Sequence, residues 1–336
     1  MRILIATPAP PGSRRGNRVT AERWATLLEE LGHGVVLCGG DALPAQADAE
    51  LLIALHARAA HGALMEFRRR FPARPTIVAL AGTDLYVDGA ADPRVAQSLA
   101  AAQGIVMLQE RAREALTPEE AQRAVVIEQS CAGLSRDAAA LDSLVPTPTA
   151  GDLLLVGHLR PVKDPFLALE ALEALEKAEG SEAMERSNSR TPLRLVHLGA
   201  ALDDEMARRA EERSANCSCY QWLGERSREE TLLRMAHCHA LLLTSKEEGG
   251  ANAITEGVAC GAPIIATDNA GTRGQLGDEH PGLFPVGGVG SLVRLLRRLA
   301  SDAEFVQELR RATARLAPRV DPARERAAWA RLLESL

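Results

Sequence analysis

Apolar runs of four to six residues recur along the whole chain, each short enough to be a buried strand and each followed by turn residues or helical spacing. In the first half they stand at residues 2–6, 35–38, 50–55, 76–80, 104–108 and 124–128. Between the first two, Trp24, Leu27, Leu28 and Leu31 recur at helical spacing, predicting a helix from about Val19 to Leu31 that stops at Gly32-His33-Gly34. Further helical stretches are expected at Gly62–Phe71 and Ala112–Leu116. The second half repeats the pattern, with strands expected at 153–156, 193–198, 220–223, 240–243, 264–267 and 283–286. Strand and helix in alternation specify an α/β fold with parallel, doubly wound sheets. The length of 336 residues exceeds one ordinary core, so two domains are expected. Pro146-Thr147-Pro148-Thr149 reads as the linker, giving a first domain over 1–148 and a second over 149–320. The amphipathic stretch 321–336 is expected to cross back onto the first domain, and the polar run Glu179–Thr191 reads as a surface excursion.

Charge narrows the function classes. A net charge of −6 speaks against a general nucleic-acid binder, which would show a basic face. Lys occurs only at 163, 177 and 246, so the cations of any anion site are mostly Arg. The chain enters a strand at Arg2 and no apolar run reaches transmembrane length, from which a cytoplasmic protein is expected, with no membrane partner. Cys38, Cys131, Cys217, Cys219, Cys238 and Cys260 lack metal-ligand spacing; even Cys217-Ser218-Cys219 with His237-Cys238-His239 fits structural zinc poorly. Reduced, partly buried thiols and no metal are expected.

Chemistry-bearing residues gather where strands end, which is where open α/β sheets bind ligands. After the strand at 240–243, Glu248 lies in a turn before a short helix, about Asn252 to Ala259, and Glu256 lies among Ile254, Val258 and Ala259. A carboxylate in that company needs hydrogen-bond donors. Between the two, Gly249-Gly250-Ala251 has little side chain, so its amides can approach an anion closely. Gly157-His158-Leu159-Arg160-Pro161-Val162-Lys163-Asp164 follows the strand at 153–156 and offers two cations. In the first half, Gly12, Gly16, Asn17, Arg18 and Thr20 open a helix beside Arg14 and Arg15, an arrangement that suits an oxyanion but also reads as an Asn-capped helix with exposed arginines. His56 and Arg58 end the third strand, and Gly82-Thr83-Asp84 ends the fourth. Gln109 and Gln129-Ser130 end later strands, and Gly271, Gly274 and Gly277 are expected to line a loop after the strand at 264–267.

The seven residues between Glu248 and Glu256 resemble the E-x7-E signature of GT-B glycosyltransferases, particularly family 4. The loop from Gly157 resembles that family's G-R-L-x-x-x-K-G loop, whose Arg and Lys neutralise the donor diphosphate. Lys163 matches; His158 stands at the usual Arg position, and Arg160 is the candidate to take over that role. Taken in order, Gly16-Asn17-Arg18-Val19-Thr20-Ala21, Leu55-His56-Ala57-Arg58, Gly82-Thr83-Asp84, the His158 loop with Lys163-Asp164-Pro165, and Glu248-Gly249-Gly250-Ala251-Asn252 resemble the selenosugar synthases of selenoneine biosynthesis, a branch of these enzymes. The resemblance spans about residues 1 to 290.

That resemblance implies the GT-B fold, two Rossmann-like domains facing a central cleft. It also implies transfer of a glucose-type sugar from UDP-N-acetylglucosamine or UDP-glucose to selenophosphate. A carbon–selenium bond forms, and loss of the phosphoryl group gives a 1-selenosugar. No cofactor or metal is implied, because Arg and Lys serve the diphosphate. His158, Lys163, Glu248, Gly249, Gly250, Ala251, Asn252 and Glu256 would hold the donor, with Glu248 on the sugar and Glu256 on the ribose. Gly16, Asn17, Arg18, Thr20, Arg58, Thr83 and Asp84 would hold the acceptor, and His56, Arg160 and Lys163 would serve catalysis. The alternatives are a family-4 transferase acting on a sugar hydroxyl or a lipid-linked acceptor, a UDP-sugar epimerase, and a non-catalytic nucleotide-sugar-binding protein. A lipid-linked acceptor calls for a basic amphipathic surface, for which Arg68-Arg69-Arg70 between Phe67 and Phe71 is the candidate and a solvated helix face the simpler account.

Overall fold

Every apolar run singled out above is a strand. The computed structural model describes residues 1–87, 92–134, 151–182 and 191–336, so the expected linker at 146–149 and the boundary at 148/149 lie outside the described residues. β1 (Arg2–Thr7), β2 (Gly34–Gly39), β3 (Leu51–Leu55), β4 (Thr76–Ala79), β5 (Gly104–Met107) and β6 (Ala124–Val126) form one sheet in the order β2-β1-β3-β4-β5-β6. β7 (Asp152–Val156), β8 (Arg194–Leu198), β9 (Tyr220–Gly224), β10 (Ala240–Leu243), β11 (Ile264–Asp268) and β12 (Leu283–Pro285) form a second, in the order β12-β11-β10-β7-β8-β9. All pairings are parallel.

The first sheet shows why uninterrupted apolar runs were needed. On β1 and β3, Leu4, Ala6, Leu52 and Ala54 join the core on one face, while Ile3, Ile5, Leu51, Ile53 and Leu55 join the core on the other. Side chains alternate across a strand, so a strand covered by helices on both faces has no place for a polar alternation. The helix Gly16–Glu30 and the C-terminal helix Pro322–Glu334 cover one face together, with Trp24 and Trp329 edge to face at 4.9 Å.

The chain divides into two compact units. One comprises Met1–Ser130, Glu247–Asn252 and Arg319–Leu336; the other comprises Cys131–Lys246 and Ala253–Pro318. Each sheet has one topological switch point. In the first unit it falls between β1, which feeds β2 on one side, and β3 on the other. In the second it falls between β7 and β10. Ligand sites in such sheets lie outside the carboxyl ends of the strands at these points.

Four local expectations differ from the structure. The first helix begins at Gly16 rather than Val19: Arg15 is extended at φ −66° and ψ 144° and serves as N-cap without a side-chain bond, so the Asn-capped reading does not hold. Residues 110–115 form a 3-10 helix, followed by a short helix Pro118–Gln122 behind a Thr117–Glu120 capping box. The helix Leu167–Glu182 runs into the start of the expected excursion, of which residues 183–190 lie outside the described set. Gly271 and Gly274 lie in a helix, Ala270–Leu276, because Asn269 and Thr272 cap it reciprocally; Gly277 ends it at φ 90°. Among the described residues, no helix is long and apolar enough to cross a membrane.

Candidate functional site

In the first unit, β3 ends in a turn under strain. His56 is buried and holds φ at 86°, a left-handed conformation that costs a non-glycine residue about 1–3 kcal/mol. Its amide donates to the carbonyl of Ala79 at 2.8 Å. Its Nδ1 accepts from the Ala59 amide at 3.3 Å. Nδ1 also lies 3.5 Å from Asp84 Oδ2, and Nε2 is within hydrogen-bond distance of Thr83 Oγ1 at 2.9 Å. Asp84 supports this turn from beneath. It is fully buried, and its carboxylate accepts the amides of Ala57 at 2.7 Å, Ala81 at 3.0 Å and Gly82 at 2.8 Å. Asp84 therefore ties the end of β3 to the end of β4, and its oxygens face backbone rather than solvent. Arg58, half-buried, follows on the same turn.

At the β1 side of the switch point, Gly16, Asn17, Arg18 and Thr20 occupy the first turns of the helix Gly16–Glu30. The guanidinium of Arg18 donates to Glu22 at 2.6 Å, so one carboxylate already shares its charge. Thr20 is buried and accepts from the Gln129 side chain at 2.9 Å. Gln109, fully buried at the end of β5, donates to the Tyr86 hydroxyl at 2.9 Å.

The loop Glu247–Asn252 packs into this unit, and its small residues have a structural cause that the sequence did not reveal. A Cβ on Gly82 would overlap the backbone of Gly249, and one on Gly249 would overlap Gly82. A Cβ on Gly250 would press on Leu108 at 2.6 Å. Glycine is required here for close approach within the protein. Glu248 is buried beside this contact. Burial, together with the charge of Glu248, raises the pKa of Glu247. Asn252 uses both ends of its amide: Oδ1 accepts from Arg23 at 3.1 Å, and Nδ2 donates to the Gly16 carbonyl at 3.2 Å and to Thr20 Oγ1 at 3.3 Å. Those bonds make its side chain an anchor of the loop rather than a hand for a ligand.

In the second unit, the loops after β7 and β8 are joined. Gly157 and Gly199 meet backbone to backbone, Leu159 bridges to Ala201, and His158 Nδ1 accepts from the Ala200 amide at 3.0 Å. Beneath them His197 is fully buried; a carbonyl can only accept, so its Nε2–H donates to Gly157 O at 2.9 Å and its Nδ1 takes the Tyr220 hydroxyl proton at 3.0 Å. The 3-10 turn Pro161–Lys163 follows and closes on Asp164 at φ 42°. The resembled loop has Gly at that position, and Asp is among the few other residues that tolerate it. Backbone bonds fix the turn across the switch point. Thr244 Oγ1 donates to the Lys163 carbonyl at 3.1 Å, and the Lys246 amide to Val162 O at 2.8 Å. Lys163 is half-buried and Arg160 is exposed.

Glu256, on the helix Asn252–Ala259, has the donor its surroundings demanded: Arg228 Nη1 at 2.6 Å. The other terminal nitrogen of Arg228 reaches Cys131 Sγ at 3.2 Å. Nothing in the sequence marked Arg228, which stands 28 residues away on another helix. Three other thiols are held protonated by their surroundings. Burial pushes Cys38 up to about 11 and Cys238 and Cys260 up to about 12. Among the described residues, no group of three or more His, Cys, Asp or Glu side chains is placed to hold a metal.

Burial also lowers two histidines, His197 and His280, from 6.5 to about 4. Between those values the unfolded chain takes up protons that the folded chain refuses. Stability is therefore full above pH 6.5 and falls as pH drops toward 4. Denaturant unfolding across that window should show the loss, and His197→Asn should make it shallower, leaving the contribution of His280.

Two six-stranded parallel sheets with interleaved helices make this an α/β protein of the GT-B fold. The family model of glycosyl transferases group 1 matches residues 143–316, just over half of the chain, and the chain belongs to that family. HepE of Anabaena, in complex with UDP and glucose, has a similar structure, with a TM-score of 0.77 at 16% identity over 100% of both chains. Sucrose-phosphate synthase of Thermosynechococcus elongatus gives 0.76 at 13% identity, over 99% of this chain and 98% of that one. The pneumococcal O-GlcNAc transferase GtfA, in complex with UDP and GlcNAc, gives 0.62 at 14% identity over 85% of this chain and 56% of that one, so this chain spans about half its length. Among curated proteins, none matches this chain at the level taken as significant.

Proposed function

We propose that the protein is a selenosugar synthase. It transfers a glucose-type sugar from UDP-N-acetylglucosamine or UDP-glucose to selenophosphate, without a metal. Selenium attacks the anomeric carbon, the bond from that carbon to UDP oxygen breaks, and hydrolysis of the P–Se bond leaves a 1-selenosugar and phosphate. What carries the donor half of this reading is membership of the group 1 family together with Lys163 and Glu256 on the segments that follow β7 and β10. UDP bound to HepE and GtfA supports the nucleotide. Lys163, with Arg160 and His158, meets the charge that UDP gains as it leaves. Glu256 holds the ribose and Glu248 the sugar. Asn252 and Asp84 shape their loops.

The acceptor half rests on the first unit, where Arg58, Thr83, His56 and the Gly16–Thr20 turn stand at the ends of β1, β3 and β4. Selenophosphate is already nucleophilic, so it needs an anion site more than a strong base, and arginine suits it. His56 offers one imidazole to position the acceptor or the sugar. The pairing of Arg18 with Glu22 favours a second reading, a sugar hydroxyl as acceptor, since the local positive charge is partly spent.

UDP release measured with and without selenophosphate decides between them. The expected result is release that depends on selenophosphate and a selenosugar detected by mass. Arg58→Ala should raise the apparent KM for selenophosphate while UDP-sugar affinity stays nearly intact. Release that ignores selenophosphate but follows an added sugar alcohol establishes the second reading instead. Release without any acceptor points to hydrolysis or epimerase-type chemistry, and no release at all to a binding protein.

A further inference from the structure

Resting on the donor assignment above, we propose that Arg23 and Glu325 are positioning residues for the Glu248 loop, acting through Asn252. All the groups involved belong to the first unit. The side chain of Glu325, on the C-terminal helix, has no exposed surface. A buried carboxylate persists only where donors surround it, and four do. Trp24 Nε1 donates at 2.7 Å, Arg23 Nε at 3.0 Å, the Ser130 amide at 2.8 Å and the Ser130 hydroxyl at 2.5 Å.

This fixes the plane of the Arg23 guanidinium. With Nε held by Glu325, Nη1 is aimed at Asn252 Oδ1, 3.1 Å away. Asn252 is then held from both sides, because Gly16 O and Thr20 Oγ1 take its two Nδ2 protons. Thr20 Oγ1 also accepts from Gln129, so its two lone pairs are both used. Four residues before Asn252 stands Glu248, and the backbone between them has no side chain larger than that of Ala251. Such a stretch cannot anchor itself by packing side chains. It is pinned by the Gly82–Gly249 approach near one end and by the Asn252 amide at the other. A planar fork that bonds a carboxylate and an amide at once is a task for Arg, and Lys has only a point charge to offer.

The full-length chain carrying Arg23→Met, Arg23→Lys or Asn252→Ala tests this. For Arg23→Met the KM for UDP-sugar should rise about ten- to a hundredfold, the scale of a misplaced binding group. Affinity for UDP alone, assigned to Lys163 and Glu256, should stay nearly unchanged. Arg23→Lys should fall between, and Arg23→Met with Asn252→Ala should be no worse than Asn252→Ala alone, since Arg23 acts through the Asn252 amide. Amide exchange should quicken in 247–252 and not in β1 or β3. Unchanged KM and unchanged exchange at 247–252 in Arg23→Met overturn the proposal. So does quickened exchange throughout β1 and β3, which marks a merely structural residue. If the wild-type protein makes no use of UDP-sugar, the functional reading fails, and exchange at 247–252 decides the positioning role by itself.

Discussion

Lys163→Ala should lower turnover of UDP-sugar about 10²–10³-fold, on the scale of removing one preorganised oxyanion donor, about 3–4 kcal/mol. The leaving diphosphate gains negative charge in the transition state, and a cation placed beforehand stabilises that state more than the ground state. The turn that carries Lys163 is held by its backbone, through Thr244 on the Lys163 carbonyl and Lys246 on the Val162 carbonyl. Removing the side chain leaves those bonds in place. Stability should therefore move by about 0.5 kcal/mol or less, the usual range for a change outside the core. Steady-state kinetics beside a denaturant titration checks both halves. Unchanged turnover removes Lys163 from the reaction.

The sheets were legible because their signal is local. Each strand is a run of neighbours in the chain, and burial on both faces makes that run uniformly apolar, so twelve strands could be placed within one or two residues. Strand ends were legible for the same reason, and with them His56, Thr83, Lys163 and Glu248. What sequence did not convey is who meets whom. Arg23 finds Glu325 across 302 positions and Asn252 across 229, and Arg228 finds Glu256 across 28. No periodicity records such pairings, because they depend on where several loops converge. The demand for a partner was visible at Glu256, an acid among apolar residues, but the partner was not. Gly249 and Gly250 show a related limit. Their lack of side chain was evident, yet the same lack serves a ligand's approach or a neighbouring backbone, and the close neighbours here are Gly82 and Leu108. The start of the first helix was missed by a turn because Arg15 caps without a side-chain bond and so leaves no cap signature.

Asp84→Ala should destabilise the protein by on the order of 4 kcal/mol, an effect much larger than a loop acid would ordinarily produce. The carboxylate accepts three amides, from Ala57, Ala81 and Gly82, in a place without solvent. Truncation leaves those N–H groups unmade, and each buried unsatisfied donor costs about 1–3 kcal/mol. Two of them lie on the turn of β4 and one on the turn of β3, so the damage spans both. His56 then loses what holds it at φ 86°, and its ring leaves Thr83. Asp84→Asn is not a rescue, because an amide nitrogen would face donors that need an acceptor. Urea unfolding should show both variants far below wild type, with turnover lost as well. His56→Gly is the contrasting variant. Glycine accepts a positive φ without strain, so the turn and its Asp84 bonds persist, and relief of the strain offsets part of the packing and bonds lost with the ring; the fall in stability should be well below that of Asp84→Ala, while the imidazole is gone. If Asp84→Ala unfolds at the wild-type denaturant concentration, the acid does not hold this turn together. If it unfolds early while His56→Gly folds normally and fails to turn over, Asp84 carries the architecture of this turn and His56 its chemistry.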